Sequence, residues 1–148
     1  MQKIRHIIGD TYRQHRYLLD ALCFTEAEKH QFTKVMNCEM DDVTAQDALK
    51  NLSYYLHHYW RKRTILLLDE YDTPMQEAYV HGYWNEFINF IRGLFNSALK
   101  TNPYLERAVM TGITRVSKES VFSDLNNLKV ITITSEEYAD CFGFTEEE

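Results

Sequence analysis

The stretch Thr64-Ile65-Leu66-Leu67-Leu68-Asp69-Glu70 places four consecutive apolar residues directly before two acidic ones. A short apolar run without alternation is typical of a strand that is covered on both faces, as in the parallel sheet of an α/β protein. Ligands of open α/β sheets bind just beyond the carboxyl ends of such strands. The stretch therefore predicts a buried parallel strand whose acidic end faces a ligand site.

The elements predicted downstream extend this strand into a βαβ unit. Apolar side chains recur at helical spacing from about Tyr83 to Lys100, and Asn102-Pro103 ends that helix. A second buried strand is predicted over about Glu106 to Thr111, parallel to the first because a long helix connects them. We also expect a short helix from Ser117 to Phe122 and a third strand over Leu128 to Thr134.

The first 60 residues are predicted to be helical. Apolar residues recur at three- and four-residue steps from Ile4 to Leu22, which indicates one face of a helix. Thr25 followed by Glu28 is a capping-box pattern, so a second helix should cover roughly Glu26 to Met36. A third helix is predicted to start at Thr44.

Two other segments of the chain have a predicted structural role. The residues Tyr54, Tyr55, His57 and His58 surround the inner stripe of the third helix, and we expect them to pack rather than to form a site. After the first strand, the segment that carries Pro74 and Gly82 is predicted to be a loop.

Composition limits the class of protein. The 148 residues carry a net charge of −6 with 45% hydrophobic and 14% aromatic residues, which predicts one globular domain rather than a disordered chain. The excess of acidic residues gives no direct indication of nucleic-acid binding, for which a basic surface is the usual sign. No apolar run approaches the ~20 residues needed to span a bilayer, and three cysteines without a C-x-x-C pair favour reduced thiols. We expect a cytoplasmic protein with no membrane contact.

The strand with its acidic end has the form of a Walker B motif. In such a motif Asp69 would hold Mg²⁺, usually through water, and Glu70 would orient or deprotonate the attacking water. Thr111, Thr114 and Arg115 follow the second strand and reach the same sheet edge if the strands are parallel. There they could sense or neutralise a γ-phosphate. The alternative is an ordinary strand exit at Thr111-Gly112 and a surface cation at Arg115.

Four ordered segments resemble the AAA-ATPase-like family of prokaryotic P-loop proteins. They are LLLDEYDTP at 66–74, TGITRVSK at 111–118, VFSDLNNL at 121–128 and CFGFTEEE at 141–148. The resemblance is strong over 64–148 and loose over the first 60 residues. It implies an ATP hydrolase in which Asp69 is the Mg²⁺ residue and Glu70 the catalytic acid.

The same resemblance implies roles for the residues after the second strand. Thr111 and Thr114 would be nucleotide-sensing residues, and Arg115 would be a catalytic cation at the phosphates. Asp72 belongs to the family's DEYD signature without an assigned role. Family members often carry a PD-(D/E)XK nuclease-like domain further downstream, which these residues do not supply.

A Walker A loop is missing from the sequence. None of the five glycines begins a G-x-x-x-x-G-K-[ST] motif, whose backbone and Lys cradle the phosphates. We therefore expect the later part of an AAA-ATPase-like domain, with a helical segment at 1–62 and a Walker B and sensor α/β segment at 63–148. Its ATP affinity should be weak or absent, and it should be inactive alone.

The expected fold class is α/β: a partial P-loop-type three-layer fold with about three mainly parallel strands and an N-terminal helical segment. In AAA-type sheets the Walker A strand lies between the sensor strand and the final strand. Without it, strand edges stay unpaired and invite another chain to pair with them. We therefore expect either a rearranged sheet or a homodimer formed through the exposed edges.

Three rival functions follow from other residues. A metal hydrolase could combine Asp69, Glu70 and Asp72 with His57, His58 or His81, but no H-x-x-x-H spacing exists. A nuclease would need a Lys where Glu106-Arg107-Ala108 has none. The strongest rival is a non-catalytic interaction module derived from a P-loop fold, with aromatic segments at 54–60 and 79–84.

Overall fold

The computed structural model describes residues 2–113, 122, 125, 128–132, 134–138 and 141. In this part of the chain, two strands and five α-helices are joined by short turns. In chain order they are α1 Gln2–Gln14, a 3₁₀ turn Arg16–Asp20, α2 Glu26–Met36, α3 Asp42–Trp60, β1 Thr64–Leu68, α4 Thr73–Val80, α5 Trp84–Phe95, a π-helical turn Asn96–Lys100 and β2 Leu105–Met110.

The apolar spacing of the N-terminal segment spans a helix and a turn rather than one helix. α1 ends at Gln14, and the 3₁₀ turn still directs Leu18 into the core. Leu22 lies beyond that turn and is fully exposed, so the predicted stripe ends before it. The hydroxyl of buried Tyr12 donates to the carbonyl of Ala48 at 2.7 Å, which ties α1 to α3.

The prediction for α2 is confirmed at both ends. Thr25 Oγ1 accepts a hydrogen bond from the Glu28 amide at 3.3 Å, and the Glu28 carboxylate accepts one from the Thr25 amide at 2.7 Å. These reciprocal bonds satisfy two N–H groups that have no helical partner. α3 begins two residues earlier than predicted, because the Asp41 side chain caps it through the Thr44 amide at 2.8 Å.

The predicted loop after β1 contains a helix. Pro74 lies in the first turn of α4, where the missing N–H has no helical partner to lose, so the proline starts the helix rather than breaking it. Gly82 then adopts a φ of +77°, a left-handed conformation that suits glycine, between α4 and α5. The predicted loop is therefore wrong over Thr73–Val80, which is helical, and Gly82 lies in the short connection that follows.

The predicted long helix is confirmed as α5 with its π-helical continuation. This segment packs against α3 and α4, and its buried apolar residues are Phe87, Ile88, Phe90, Ile91, Leu94, Phe95 and Ala98. At Gly93 the amide end of the Gln46 side chain lies close to the backbone of α5: a Cβ there would be 2.5 Å from it, so Gln46 would have to move. Tyr55 is buried on α3, as expected of a packing residue.

The two strands form a parallel pair, as predicted. Leu68 is paired with Met110, so both strands end at the same level. The amide of Thr111 then donates to the carbonyl of Leu68 at 2.9 Å, which carries the pairing one residue further. The residues that follow β1 and β2 are thereby held side by side.

One face of this sheet is open within the described residues. Ile65 is 62% exposed and Leu67 72%, whereas Leu68 and Met110 pack against the helical core. The prediction that β1 is covered on both faces is therefore wrong for this part of the chain. An unbroken apolar run in the sequence does not specify which face of the strand is covered by another element.

The predicted third strand is not observed. Residues 128–132 and 134 are not in a strand, and 133 lies outside the described residues. The predicted helix Ser117–Phe122 also lies outside them, apart from Phe122 itself. The structure is thus a mixed, mostly helical α/β arrangement with two parallel strands in the described part, rather than the expected three-strand sheet. No described helix is long and apolar enough to cross a membrane.

Candidate functional site

The carboxyl ends of β1 and β2 bring together three of the residues singled out in the sequence: Asp69, Glu70 and Thr111. The backbone fixes their spacing, because the Tyr71 amide donates to the Thr111 carbonyl at 3.0 Å. Asp69, Glu70 and Thr111 are exposed. The predicted sheet-edge cluster therefore exists and faces solvent.

The Asp69 carboxylate is oriented by two donors. The Thr111 hydroxyl donates to Asp69 Oδ1, and the Glu70 amide donates to the same oxygen at 3.1 Å. The Glu70 amide also lies 3.4 Å from Thr111 Oγ1. No described residue donates to Asp69 Oδ2, so the arrangement holds one carboxylate oxygen and leaves the other for a ligand.

Glu70 has a left-handed backbone conformation, with a φ of +51°. For a residue with a Cβ this conformation costs about 1–2 kcal/mol, and such strain is concentrated at functional sites. The chain changes direction at Glu70, directly after Asp69. The Thr73 amide closes this turn by donating to the Glu70 carbonyl at 3.1 Å. The Glu70 carboxylate is consequently presented at the surface beside Asp69.

Asp72 lies beneath this surface and is only 2% exposed. Its carbonyl accepts the amides of Met75 at 3.0 Å and Gln76 at 2.9 Å, so it starts α4. Gln76 Nε2 donates to Asp72 Oδ2 at 3.2 Å. Asp72 thus connects the turn after β1 to α4 and supports the site without facing its open side.

Gly112 allows the turn after β1 to approach the exit of β2. A Cβ at this position would lie 2.6 Å from Asp72 Oδ1 and 2.8 Å from Tyr71 Cε1. Sequence reasoning treated Thr111-Gly112 as a strand exit and missed this contact. The glycine directly after the polar residue was the available signal, because glycine allows close backbone approach. The left-handed turn at Glu70 had no such signal.

The remaining predicted residues are not part of the described cluster. Thr114 and Arg115 lie outside the described residues. His57 and His58 pack against Tyr104, with ring centroids 5.4 and 5.7 Å apart, before the amino end of β2. The described residues contain no group of three His, Cys, Asp or Glu side chains able to hold a metal.

Comparison with known proteins places the chain in a family. The profile of the AAA-ATPase-like family, described as a predicted AAA-ATPase, matches residues 5–122. A relative from Azotobacter chroococcum mcd 1, described as an uncharacterized protein in the vnfD 5′ region, is 33% identical over 86 residues. That alignment covers 57% of this chain and 16% of the relative. No solved structure matches the chain significantly.

Proposed function

This chain belongs to the predicted AAA-ATPase family, and on that premise we propose that the ends of β1 and β2 form the Walker B and sensor side of an ATP-binding site. The observation that carries the proposal is the hydrogen bond from Thr111 to Asp69 across neighbouring parallel strands. It supports a site in which one strand supplies a carboxylate and the next strand orients it. ATP is the expected substrate.

The residues present fit a magnesium ion. Mg²⁺ is usually bound through one or two carboxylates together with waters and the phosphates of the substrate. Asp69 supplies one exposed carboxylate with Oδ2 available, so it would be the residue that holds the ion. When bound, Mg²⁺ would neutralise charge on the nucleotide phosphates.

Glu70 and Thr111 would have separate roles. The Glu70 carboxylate would orient or deprotonate the water that attacks the γ-phosphate, and its exposed position beside Asp69 is compatible with this role. The Thr111 hydroxyl fixes Asp69 Oδ1 and would sense the occupant of the site. Thr114 as a further sensor and Arg115 as a catalytic cation remain part of the proposal.

The sequence contains no G-x-x-x-x-G-K-[ST] motif. Phosphate affinity in P-loop proteins depends on the backbone N–H groups and the Lys of that loop. We therefore expect these 148 residues to bind nucleotide weakly and not to hydrolyse it. The partial three-layer P-loop fold, with a further strand beside β1 and β2, is part of the same proposal.

The open strand edges lead to a proposed homodimer. Within the described residues, neither β1 nor β2 has a second strand neighbour, and Ile65 and Leu67 are exposed on one face. Unpaired edges beside apolar surface favour pairing with another chain. Light scattering coupled to size-exclusion chromatography should show a dimer that Leu67→Glu converts to a monomer, and a wild-type monomer at high concentration would contradict the proposal.

A titration with a fluorescent ATP analogue and Mg²⁺ tests the proposed site. We expect weak binding that depends on Mg²⁺ and decreases further in Asp69→Asn, while phosphate release stays at background. Equal binding by wild type and Asp69→Asn would contradict the role of Asp69. Turnover that is lost in Glu70→Gln would contradict the requirement for a phosphate loop.

A non-catalytic interaction module is the second candidate. It is favoured by the exposed side chains of Tyr79 and Val80 at the carboxyl end of α4, in addition to the open sheet face. The two candidates differ in phosphate affinity. A complete lack of binding at millimolar nucleotide would favour the interaction module over the nucleotide site.

A further inference from the structure

A cluster of aromatic and basic side chains lies at the amino end of β1, at the opposite end of the strand from Asp69. We name it the aromatic-basic patch, and it consists of Arg16, Tyr17, Tyr59, Trp60, Arg61 and Lys62. Tyr59 is 40% exposed and Trp60 58% exposed, although both are large aromatic residues. The five residues of β1 separate the patch from the proposed nucleotide site by about 17 Å.

The three rings of the patch hold one another in place. The ring centroids of Tyr59 and Trp60 are 5.0 Å apart, and those of Tyr17 and Tyr59 are 5.4 Å apart. Trp60 Nε1 donates to the Tyr17 hydroxyl at 3.2 Å. These contacts fix the indole while leaving more than half of the residue accessible, so the ring is prepared to stack on a ligand.

The cations of the patch are the chain neighbours of its rings, and they are available for an anionic partner. Arg61 ends α3 in a left-handed conformation, with a φ of +56°, and its amide donates to the His57 carbonyl at 2.8 Å. Arg16, Arg61 and Lys62 are exposed and form no salt bridge with any described residue. The adjacent Arg63, in contrast, lies 3.7 Å from Glu106 and is excluded from the patch.

We propose that the aromatic-basic patch binds single-stranded nucleic acid. Proteins that bind single strands combine aromatic rings, on which bases stack, with cations that contact the phosphates. Trp60 and Tyr59 would provide the stacking surface, and Arg61 and Lys62 the phosphate contacts. Arg, Tyr and Trp are also enriched at protein interfaces, so binding to an acidic peptide is the alternative outcome of the test. This function goes beyond nucleotide binding and uses none of the residues at Asp69.

The sequence alone did not show this patch because its parts are far apart in the chain. The net charge of −6 describes the whole molecule and argued against an extended basic face. The fold places the Tyr17 ring, from the 3₁₀ turn, against Tyr59 and Trp60 at the end of α3. Arg16 precedes Tyr17 in the chain, and Arg61 and Lys62 follow Trp60.

Fluorescence anisotropy with a labelled oligo-dT of about 16 nucleotides tests the proposal. We expect Trp60→Ala to weaken binding about tenfold through loss of stacking. Lys62→Glu should weaken binding and reduce the slope of log K against log salt by at least about 0.7. In a Trp84→Phe variant, where Trp60 is the remaining tryptophan, the oligonucleotide should quench the fluorescence.

The matched control is Lys3→Glu, which makes the same charge change at an exposed lysine on α1. Arg5 of α1 pairs with Asp42 at the start of α3, so the length of α3, about 28 Å, separates this end of α1 from Trp60 at the other end of α3. Lys3→Glu should leave oligo-dT binding within about twofold of wild type. Unchanged binding by Trp60→Ala and Lys62→Glu, or equal affinity for duplex DNA, would overturn the proposal. Preference for an oligoglutamate peptide would instead assign the patch to an acidic protein.

Discussion

Thr111, the first residue after β2, donates its hydroxyl hydrogen to the carboxylate of Asp69, the first residue after β1. The backbone of Thr111 is also held on both sides: its amide donates to Leu68 at 2.9 Å, and its carbonyl accepts from Tyr71 at 3.0 Å. The orientation of the proposed metal-binding carboxylate is therefore coupled to the position of the neighbouring strand.

Removing this hydroxyl should affect the site more than the fold. Thr111→Val keeps the shape of the side chain and the backbone hydrogen bonds but deletes the donor to Asp69 Oδ1. We expect the free energy of unfolding in urea to fall by no more than about 1 kcal/mol, because Asp69 is exposed to water. Mg²⁺-dependent binding of the ATP analogue should fall about as far as in Asp69→Asn.

Thr111→Ser is the matched control, since serine restores the hydroxyl. It should recover nucleotide binding, whereas a purely steric role for Thr111 would leave Thr111→Ser weaker than Thr111→Val. Equal nucleotide binding by wild type, Thr111→Val and Thr111→Ser would contradict the coupling between Thr111 and Asp69.

A substitution that relieves the left-handed backbone strain at Glu70 should make the protein more stable. Glu70→Gly removes the Cβ that is strained at a φ of +51° and should raise the free energy of unfolding by up to about 1 kcal/mol, because the greater freedom of glycine in the unfolded chain offsets part of the relief. Glu70→Gln removes the charge but keeps the Cβ, so its stability should equal that of wild type. A Glu70→Gly protein that is no more stable than Glu70→Gln would show that the turn is not strained.

The close approach at Gly112 predicts a steric cost. Gly112→Ala would place a Cβ 2.6 Å from Asp72 Oδ1, so the turn after β1 must shift. We expect a loss of about 1–3 kcal/mol in the free energy of unfolding, as for other overpacked sites. Ile113→Ala, at the exposed neighbouring residue, is the control and should change stability by less than about 0.5 kcal/mol. Similar losses in the two variants would contradict the contact.

The capping box of α2 predicts a dependence of stability on pH. The Thr25 hydroxyl and amide, followed by the Tyr54 hydroxyl, hold the pKa of Glu28 below its usual value, and the same carboxylate raises the pKa of Tyr54 to about 12. Because the folded-state pKa of Glu28 is lowered, its stabilisation is present above about pH 4.5 and is lost as the pH falls through the folded-state value.

Thr25→Ala removes the cap and should reduce the free energy of unfolding by about 1 kcal/mol at neutral pH. At a pH below the folded-state pKa of Glu28, the difference in stability between Thr25→Ala and wild type should be smaller. Thermal unfolding followed by circular dichroism measures this difference. Thr25→Ser keeps the hydroxyl and should follow the wild-type curve. A difference that stays constant with pH would mean that Glu28 does not contribute through its charge.

Local chemistry explains which elements could be predicted from the sequence. α2 was predicted from Thr25 and Glu28, whose capping bonds lie within one turn of each other. The parallel pairing of β1 and β2 was predicted from the intervening helix, which brings their ends together. The meeting of Asp69 with Thr111 followed from that pairing.

The features that could not be predicted depend on tertiary neighbours. The exposure of Ile65 and Leu67 is decided by which elements cover the sheet, and an unbroken apolar run carries no such information. The left-handed turn at Glu70 has no glycine or asparagine to mark it. Proline is common both in loops and in the first turn of a helix, and the fold places Pro74 in the first turn of α4.

The central claim is that Asp69 holds the metal ion of a metal–nucleotide complex at the ends of β1 and β2. Paramagnetic broadening of amide NMR signals by Mn²⁺ with ATP measures this directly, even when binding is weak. The account predicts broadening centred on residues 68–72 and 111–113 that disappears in Asp69→Asn. Broadening that is unchanged in Asp69→Asn, or that is centred elsewhere on the chain, would contradict it.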